Sequence, residues 1–303
     1  MITGEKTPTL RSLLEKGPVF APTAWDCFSA KVLQKTGYQA MCISGAEVAE
    51  SHCGLPDLGL VSFDELLDVV THIADTIPVP MIVDIDTGFG NELNVMRTCE
   101  RIAKAGAMAV HLEDQTFPKR CGHMRGKDVI PAKDYFSKVK AAHHVLKDTD
   151  CLLIARTDSY NILGLEEAIY RNLGSLEAGA DISFTESIDC ISAMEEIAKR
   201  VPGWKMFAMA AGGCSPKIPF KDVVDMGFNL VTAHILFSGA YRGMYENAVN
   251  CKKDYSDIYA FENDILHVPM GSFEMFGIHD WLQMGQKFNP DIKSASKFEL
   301  KEE

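Results

Sequence analysis

The sequence has no apolar run near the roughly 18 residues that a membrane span requires, and its start lacks the basic segment and apolar core of a secretory signal. No basic stripe runs along it apart from the short stretch Lys119–Lys127, and the formal net charge is −12. Because phosphate groups repel such a charge, we expect neither a nucleic-acid nor a membrane partner.

The cysteines also exclude several classes of protein. Nine are scattered through the chain, an odd number, and none forms a Cys-x-x-Cys pair. This argues against a disulfide framework and against a structural zinc site, and favours the reducing cytoplasm. The Gly-x-Ser-x-Gly elbow, the Walker A loop and the His-Glu-x-x-His motif are absent as well.

What is present is an ordinary globular composition, 47% hydrophobic and 24% charged, with a repeated helix, glycine and strand pattern. Glycine ends four helical stretches, at Gly37, Gly106, Gly179 and Gly227, and an apolar run follows each of them. Glycine accepts the left-handed backbone that terminates a helix, so each case predicts a helix followed by a strand. With the four further apolar runs, the predicted strands are Pro18–Pro22, Met41–Ser44, Met81–Asp86, Ala109–Leu112, Leu152–Asp158, Ile182–Thr185, Met206–Met209 and Leu230–Ala233.

Eight strands that alternate with helices predict an α/β fold, a (β/α)₈ TIM-type barrel with C-terminal helices. A doubly wound sheet is the alternative, but its glycine fingerprint is broken because Leu93 follows Gly88-Phe89-Gly90 at the third position. We expect one domain over 1–303, with the barrel over about 10–250, a helical extension over about 251–288 and a polar tail over 289–303.

The sequence predicts two helices in more detail. Ser62 and Glu65 form a capping box ahead of an apolar stripe. A similar stripe of Leu165, Ile169, Leu173 and Leu176 predicts a second helix whose leucines all face the core.

Polar residues gather at the ends of the predicted strands, where a barrel places its active site. Asp84 and Asp86 are two apart on a strand and share a face, and Glu113 ends the next strand. Carboxylates crowded together in this way favour Mg²⁺ or Mn²⁺. The alternative is an ion-pair network with Arg156, which either binds a substrate carboxylate through its fork or closes the barrel mouth as a structural residue.

The segment Gln115–Asp128 follows the fourth strand and is cationic and glycine-bearing, as expected of a lid that closes over the mouth. It contains Cys121 among Lys, Arg and His residues. Such neighbours predict a lowered thiol pKa and a role in proton transfer.

Several of these motifs, taken together, resemble the isocitrate lyase and phosphoenolpyruvate (PEP) mutase superfamily, most closely its 2-methylisocitrate lyases and 2,3-dimethylmalate lyases. The motifs are Ser44-Gly45, Gly54–Asp57, Val83–Gly90, His111–Gln115, Lys119–His123 and Ala155–Asp158, in the order of that family. The resemblance covers roughly residues 10 to 285.

The resemblance implies a barrel whose last helix is swapped between subunits of a homotetramer, and a Mg²⁺-dependent lyase that cleaves a carbon–carbon bond in a small 2-hydroxy dicarboxylate. It implies metal binding by Asp84, Asp86, Asp57 and Glu113. It implies Cys121 as the general acid, with Arg156 and Glu113 also catalytic. It implies substrate contacts from Ser44, Gly45, Gly122, His123, Arg156 and Glu186.

The sequence departs from that family in two places. Where succinate-producing relatives carry polar residues after the seventh strand, this chain has Ala208–Ala211, so we expect a substrate without a third carboxylate, such as 2,3-dimethylmalate, cleaved to pyruvate and propionate. The alternative is that another loop or the partner subunit replaces the lost groups, and that methylisocitrate yields pyruvate and succinate. Cys42 stands where methylisocitrate lyases often have Tyr, and the base that forms the alkoxide is left unassigned.

Other activities of the same superfamily compete with this prediction: an oxaloacetate hydrolase or decarboxylase, or an isocitrate-type lyase. A non-catalytic binding protein is a further alternative. A non-catalytic protein would be expected to have lost the active-site residues, whereas Asp84, Asp86, Glu113, Cys121 and Arg156 are all present.

Overall fold

The computed structural model describes residues 7–210, 212–263 and 271–293, and within these ranges nine short parallel strands form one sheet. The strands are β1 Val19–Phe20, β2 Thr23–Ala24, β3 Met41–Ile43, β4 Met81–Asp84, β5 Ala109–Glu113, β6 Leu152–Thr157, β7 Ile182–Thr185, β8 Trp204–Met209 and β9 Leu230–Ala233.

The strands pair in chain order from β2 to β9, and β1 pairs with β9. Only Ala21 and Pro22 separate β1 from β2, so the sheet returns to its start and the predicted TIM-type barrel is confirmed. The predicted first strand Pro18–Pro22 contains only β1, and a second piece, β2, begins one residue after its predicted end. Pro22 has no N–H to donate, and its carbonyl accepts from Cys42 N at 2.9 Å instead.

Helices occupy most of the connections between the strands. They are α1 Leu10–Leu14, α2 Cys27–Lys35, α3 Gly45–Val48, α4 Phe63–Thr76, α5 Glu92–Lys104, α6 Ala132–Leu146, α7 Tyr160–Leu163, α8 Leu165–Glu177, α9 Ile191–Arg200, α10 Phe220–Asp225, α11 Phe237–Cys251, α12 Ile258–Glu262, α13 Gly271–Met275 and α14 Ile278–Gln286, with a π-helical turn Ala49–Cys53 after α3. No helix in the described ranges is both long and apolar enough to cross a membrane.

The predicted helix ends are confirmed. Gly37, Gly106, Gly179 and Gly227 have φ values of 88°, 107°, 108° and 106°, the left-handed conformation that glycine adopts without strain. At the start of α4, Ser62 Oγ accepts from Glu65 N at 3.3 Å and Glu65 Oε2 accepts from Ser62 N at 2.7 Å, which forms the predicted capping box.

The apolar stripe predicted for α8 is wrong in part. Ile169 is buried, but Leu173 is 41% exposed. Arg171 is buried on this helix instead, and its Nη1 donates to Asp114 Oδ2 at 3.0 Å. Asp114 is a buried carboxylate just after β5 and requires a positively charged partner. The side of α8 that faces the barrel therefore carries Arg171, whereas the stripe predicted only apolar side chains there.

A buried apolar cluster fills the barrel interior with residues from β1 and from each strand between β3 and β9. Leu10, Leu13 and Leu14 of α1 join this cluster. Because all strands are parallel, their carboxyl ends lie at one edge of the barrel. Most of the buried charged residues lie at this edge.

Contacts divide the chain into two compact units, Met1–Phe237 and Ser238–Glu303. The first holds every strand that the structure describes, and the second holds α12, α13, α14 and all but the first residue of α11. The single domain over 1–303 stays a prediction, as does the swapped helix. Of the predicted polar tail, residues 294–303 lie outside the described residues.

Candidate active site

Three carboxylates meet at the carboxyl edge of the barrel. Asp84 ends β4, Asp86 follows two residues later with a left-handed φ of 47°, and Glu113 ends β5. One oxygen from each lies within 4.8 Å of the others. The backbone turn at Asp86 is held by its N–H, which donates to Asp84 Oδ1 at 3.0 Å.

The arrangement of these oxygens fits a divalent cation. Glu113 Oε1 is buried and has no hydrogen-bond partner among the residues that the structure describes. Glu113 Oε2 and Asp86 Oδ1 are also buried, with Arg156 Nη2 at 3.3 Å and Lys119 Nζ at 2.8 Å as their ion-pair partners. Buried charged oxygens of this kind are costly unless a cation or donor compensates them. Hard oxygen ligands on neighbouring strands are what Mg²⁺ or Mn²⁺ prefers, so Asp84, Asp86 and Glu113 could hold such an ion.

Electrostatics support the same interpretation. Burial raises the pKa of Asp86 to about 6, and the charge of Asp84 adds to the shift while Lys119 opposes it. Burial also raises the pKa of Glu113 well above its usual range, although Arg156 and Lys119 act in the other direction. A divalent cation at this position would favour the ionised carboxylates.

Lys119 is 3% exposed and lies between two carboxylates. Its Nζ contacts Asp57 Oδ1 and lies 2.8 Å from Asp86 Oδ1. Burial acts to lower the pKa of Lys119, but the charges of Asp86, Glu113 and Asp57 hold it well above its usual value. Asp57 lies outside the cluster of three carboxylates and faces this ammonium group. Its role as a metal ligand stays a prediction.

The lid, Gln115–Asp128, lies against the mouth at several points. Gln115 Nε2 donates to the carbonyl of Arg120 at 2.8 Å, and Gln115 Oε1 accepts from Arg120 N at 3.0 Å. Lys127 Nζ contacts the Gly122 carbonyl and lies 2.9 Å from Asp158 Oδ1. The Gln115 bonds and the Lys127–Gly122 contact lie within the lid and fix its shape. The Lys127–Asp158 ion pair and a 2.8 Å hydrogen bond from Ser187 Oγ to the Gly122 carbonyl hold it closed against the strand ends.

Gly122 lies at the tightest point of this packing. A Cβ atom there would come within 2.5 Å of Arg156 Nη2 and 2.5 Å of Glu186 Cγ. Contacts this short require the neighbours to move. The glycine therefore allows the lid to approach the two charged side chains predicted to bind substrate.

Cys121 lies within the lid and is half-buried, and its backbone N–H donates to the Asp57 carbonyl at 3.2 Å. Burial raises the pKa of its thiol above the usual value, and a backbone hydrogen bond with His123 and the charges of Arg156 and Lys119 oppose this without cancelling it. The lowered pKa expected from the cationic sequence is therefore wrong. A thiol that keeps its proton at neutral pH suits a general acid.

Arg156 is buried at the end of β6 and is surrounded by carboxylates. Its Nε donates to Asp158 Oδ2 at 2.8 Å and its Nη2 to Asp158 Oδ1 at 3.2 Å. Glu113 Oε2 and Glu186 Oε2 lie 3.3 and 3.4 Å from the guanidinium. Asp158 thus binds Nε and Nη2 of the guanidinium, an ion pair of the kind expected if Arg156 is a structural residue of the barrel mouth. Contact with a substrate carboxylate stays a prediction.

His123 links the lid to Glu186 and to the loop after β8. Its Nδ1 accepts from the Cys214 backbone N–H at 3.1 Å, so in the neutral ring the proton is on Nε2, which lies 3.2 Å from Glu186 Oε1. Burial on its own would raise the pKa of Glu186, but Arg156 and then His123 hold it well below its usual range. Glu186 is therefore an ionised acceptor.

Ser44 and Gly45 follow β3 and begin α3. Ser44 Oγ accepts from Glu47 N at 3.4 Å, which caps the helix. A Cβ atom at Gly45 would lie 3.4 Å from Asp84 Oδ2 and 3.3 Å from Asp86 Oδ1. The structure thus places the predicted substrate-binding pair beside the carboxylates.

The two places where the sequence departs from the family, Ala208–Ala211 and Cys42, carry no charged side chain. Ala208 and Ala210 are buried, while Ala211 lies outside the described residues. Cys42 is buried, and burial raises its pKa further above the usual value. Its thiol stays protonated and is unsuited to act as the base.

Sequence reasoning missed Asp158 and Lys127 as partners of the site, although both lie in motifs that it quoted or in the lid. It also missed Glu47 and His234. Glu47 is buried, and its Oε1 lies 2.8 Å from His234 Nδ1. The sequence signal for Glu47 was its position three residues after Ser44, at the end of a predicted strand.

Comparisons with known proteins show the family of the chain. A family model for phosphoenolpyruvate phosphomutase matches residues 10–252. The chain is 37% identical to the petal death protein of Dianthus caryophyllus over 292 residues, 94% of this chain and 90% of that protein. It is 39% identical to 2,3-dimethylmalate lyase of Eubacterium barkeri over 222 residues, 73% of this chain and 77% of that protein.

Among solved structures, oxaloacetate acetylhydrolase in complex with the inhibitor 3,3-difluorooxalacetate superposes with a TM-score of 0.88 at 28% identity, and the match covers 93% of this chain and 97% of that chain. The predicted superfamily is confirmed. The chain belongs to the phosphoenolpyruvate phosphomutase family and is an enzyme of the PEP mutase and isocitrate lyase superfamily.

Proposed function

We propose that this enzyme is a Mg²⁺-dependent lyase that cleaves the C2–C3 bond of a 2-hydroxy dicarboxylate of the 2,3-dimethylmalate type to pyruvate and propionate. The observation that carries the proposal is the closed lid, which brings a protonated Cys121 to the same edge as Asp84, Asp86 and Glu113. A metal-binding cluster and a proton donor at one site are the two parts that such a cleavage needs.

The metal would be held by Asp84, Asp86 and Glu113. When bound, Mg²⁺ supplies Lewis-acid chemistry at the C1 carboxylate and 2-hydroxyl, which makes that hydroxyl easier to deprotonate. As the C2–C3 bond breaks, the hydroxyl gives up its proton, its oxygen becomes the ketone oxygen of pyruvate, and the bonding electrons pass to C3 and its carboxylate. The released proton balances the one that Cys121 gives to carbon and restores the thiol after turnover.

The protein's own groups complete the reaction. Cys121 gives its proton to C3, which yields propionate. Lys119 and Arg156 are buried positive groups that stabilise the charge that develops at the C4 carboxylate. The closed lid excludes water while this charge exists.

The choice of substrate rests on the stretch after β8. Ala208 and Ala210 are buried and offer no polar side chain to a third carboxylate. A charged group placed against them would lose its hydration without a partner. A methyl group suits this position, as in dimethylmalate, and the similarity to 2,3-dimethylmalate lyase supports the same choice.

The alternative is an oxaloacetate hydrolase, which the similarity to oxaloacetate acetylhydrolase favours. Incubation with oxaloacetate and Mg²⁺, followed by measurement of oxalate, separates the two activities. We expect pyruvate from dimethylmalate and little oxalate from oxaloacetate. Oxalate release as the faster reaction would overturn the lyase assignment.

We also propose that the enzyme works in the cytoplasm as a homotetramer. All nine cysteines are free thiols, in keeping with a reducing compartment. Tyr241, Met244 and Tyr245 form an apolar face on α11 with exposures of 66, 66 and 60%. Such a face supports burial against a second copy of this chain.

A further inference from the structure

A second polar cluster lies at the carboxyl edge of the barrel, on strands away from Arg156. It consists of Thr23 on β2, Glu47 on α3 and His234 directly after β9. Glu47 is 3% exposed, and its Oε1 accepts from Thr23 Oγ1 at 2.8 Å and lies 2.8 Å from His234 Nδ1. Its Oε2 is also buried and has no hydrogen-bond partner among the described residues.

This cluster fixes the orientation of His234 and favours its protonated form. A carboxylate only accepts hydrogen bonds, so Nδ1 carries a proton and donates it to Glu47. Partial burial would lower the pKa of His234, but the hydrogen bond and charge of Glu47 raise it above its usual value, and Glu186 and Asp84 add to the shift. No residue in the described ranges bonds Nε2, and the side chain is 41% exposed. His234 is thus oriented with Nε2 unbonded, and in its protonated form it offers one further N–H.

The position of His234 links it to the proposed substrate pocket. The β8 and β9 register pairs Met209 with Ala233, so Ala210 and His234 come next to each other at the carboxyl edge. On the other side, Glu47 is two residues beyond Gly45, which packs against Asp84 and Asp86. The cluster therefore borders both the carboxylates and the apolar stretch.

The Lys and Arg side chains of the site already have carboxylate partners. Its ion pairs and the metal-binding cluster contain six carboxylates but only three Lys or Arg side chains. Arg156 alone is shared by three of those carboxylates. Each of these three positive groups is therefore already paired, so the second carboxylate of a substrate needs a hydrogen-bond donor from elsewhere in the site.

We propose that His234, oriented by Glu47 and Thr23, binds the C4 carboxylate of the substrate, the group beside the carbon that Cys121 protonates. The proposal rests on the proposed function, because it assumes a 2-hydroxy dicarboxylate. His234 contacts the substrate, whereas Glu47 and Thr23 are positioning residues. With the C4 carboxylate bound to His234, the apolar stretch Ala208–Ala210 is left to the methyl group of the substrate.

Calorimetry with two ligands tests the proposal in the presence of Mg²⁺. Oxalate resembles the metal-binding half of the substrate, and 2,3-dimethylsuccinate carries both carboxylates but, without the 2-hydroxyl, is not cleaved. We expect His234→Ala to weaken dimethylsuccinate binding at least tenfold and to leave oxalate binding within twofold. His72→Ala, which removes an exposed histidine 3.5 Å from Asp68, is the matched control.

Further variants separate a direct contact from a structural effect. His234→Lys restores a positive charge and should regain part of the lost dimethylsuccinate affinity, while Glu47→Gln should weaken this ligand and spare oxalate. If His234→Ala melts early, His234→Asn replaces it in the comparison. Equal loss for both ligands, unchanged binding of dimethylsuccinate, or a wild-type enzyme that binds oxalate alone would each overturn the proposal.

Failure of the proposed carboxylate site at His234 can be distinguished from failure of the proposed lyase function. If the wild type does not cleave dimethylmalate but the selective loss in His234→Ala holds, the reaction is wrong and the carboxylate site stands. If dimethylmalate is cleaved and the variant binds both ligands as the wild type does, the carboxylate site is wrong and the lyase stands.

Discussion

At the scale of single residues, the chemistry depends on the proton of Cys121. Burial keeps this thiol protonated at neutral pH, which suits a donor to carbon. The hydroxyl of serine is a much weaker acid than a thiol. The two residues are otherwise similar in shape, so the substitution tests acidity with little change in packing.

We predict that Cys121→Ser lowers kcat by about 10²-fold or more, because proton transfer by a positioned group contributes about that much. Mg²⁺ binding should persist, since Cys121 lies outside the carboxylate cluster. Steady-state kinetics and titration with Mn²⁺ measure the two effects. Cys190→Ser, at an exposed cysteine, is the control. Full activity in Cys121→Ala would rule out the acid role.

Gly122 gives a second residue-scale prediction. An added methyl would meet Arg156 Nη2 and Glu186 Cγ at 2.5 Å, so Gly122→Ala should hold the lid away from the mouth. We expect kcat/KM to fall at least tenfold with little change in the melting temperature. Gly212→Ala is the matched control, because a methyl there meets no atom within 4 Å. Equal kinetics in the two variants would contradict the closed-lid account.

The sequence was sufficient to nominate the charged residues, but not to predict their partners. Asp84, Asp86 and Glu113 were placed together because parallel strands end at one edge. The pKa of Cys121 was predicted in the wrong direction, since burial depends on how the lid packs and the lid sequence shows only nearby charges. Glu47 and His234 are 187 positions apart, and no spacing rule joins them.

At the scale of secondary structure, the ends of helices followed local rules. The capping box of Ser62 and Glu65 and the four left-handed glycines depend on residues within one turn. Two other features required the tertiary structure. Pro22 divides the first barrel strand, and Arg171 rather than Leu173 faces the barrel because it neutralises buried Asp114.

The cap of α4 can be tested by itself. Ser62→Ala removes the acceptor for Glu65 N and should lower the free energy of unfolding by about 1 kcal/mol. Urea denaturation measures the change. Ser137→Ala is the control, since Ser137 is exposed within α6 and bonds only the preceding turn at Lys133. A loss no larger than that of the control would contradict the capping account.

At the scale of the whole molecule, the second unit carries an exposed apolar face on α11. Tyr241, Met244 and Tyr245 lie three and four positions apart on α11, so they share one side of it. We predict that light scattering on the wild type gives four times the mass of one chain. Tyr241→Asp should reduce that mass, whereas Leu93→Asp, at an exposed leucine of α5, should not. A monomeric wild type would contradict the tetramer.

The central claim concerns the whole enzyme, and one kinetic comparison tests it most directly. Pyruvate release is measured with Mg²⁺ from 2,3-dimethylmalate and from 2-methylisocitrate, and again after chelation of the metal. Because Ala208 and Ala210 leave a third carboxylate without a polar partner, we predict a kcat/KM at least tenfold higher for dimethylmalate, and no turnover once the metal is removed. A clear preference for methylisocitrate, or full activity without a divalent cation, would contradict the account.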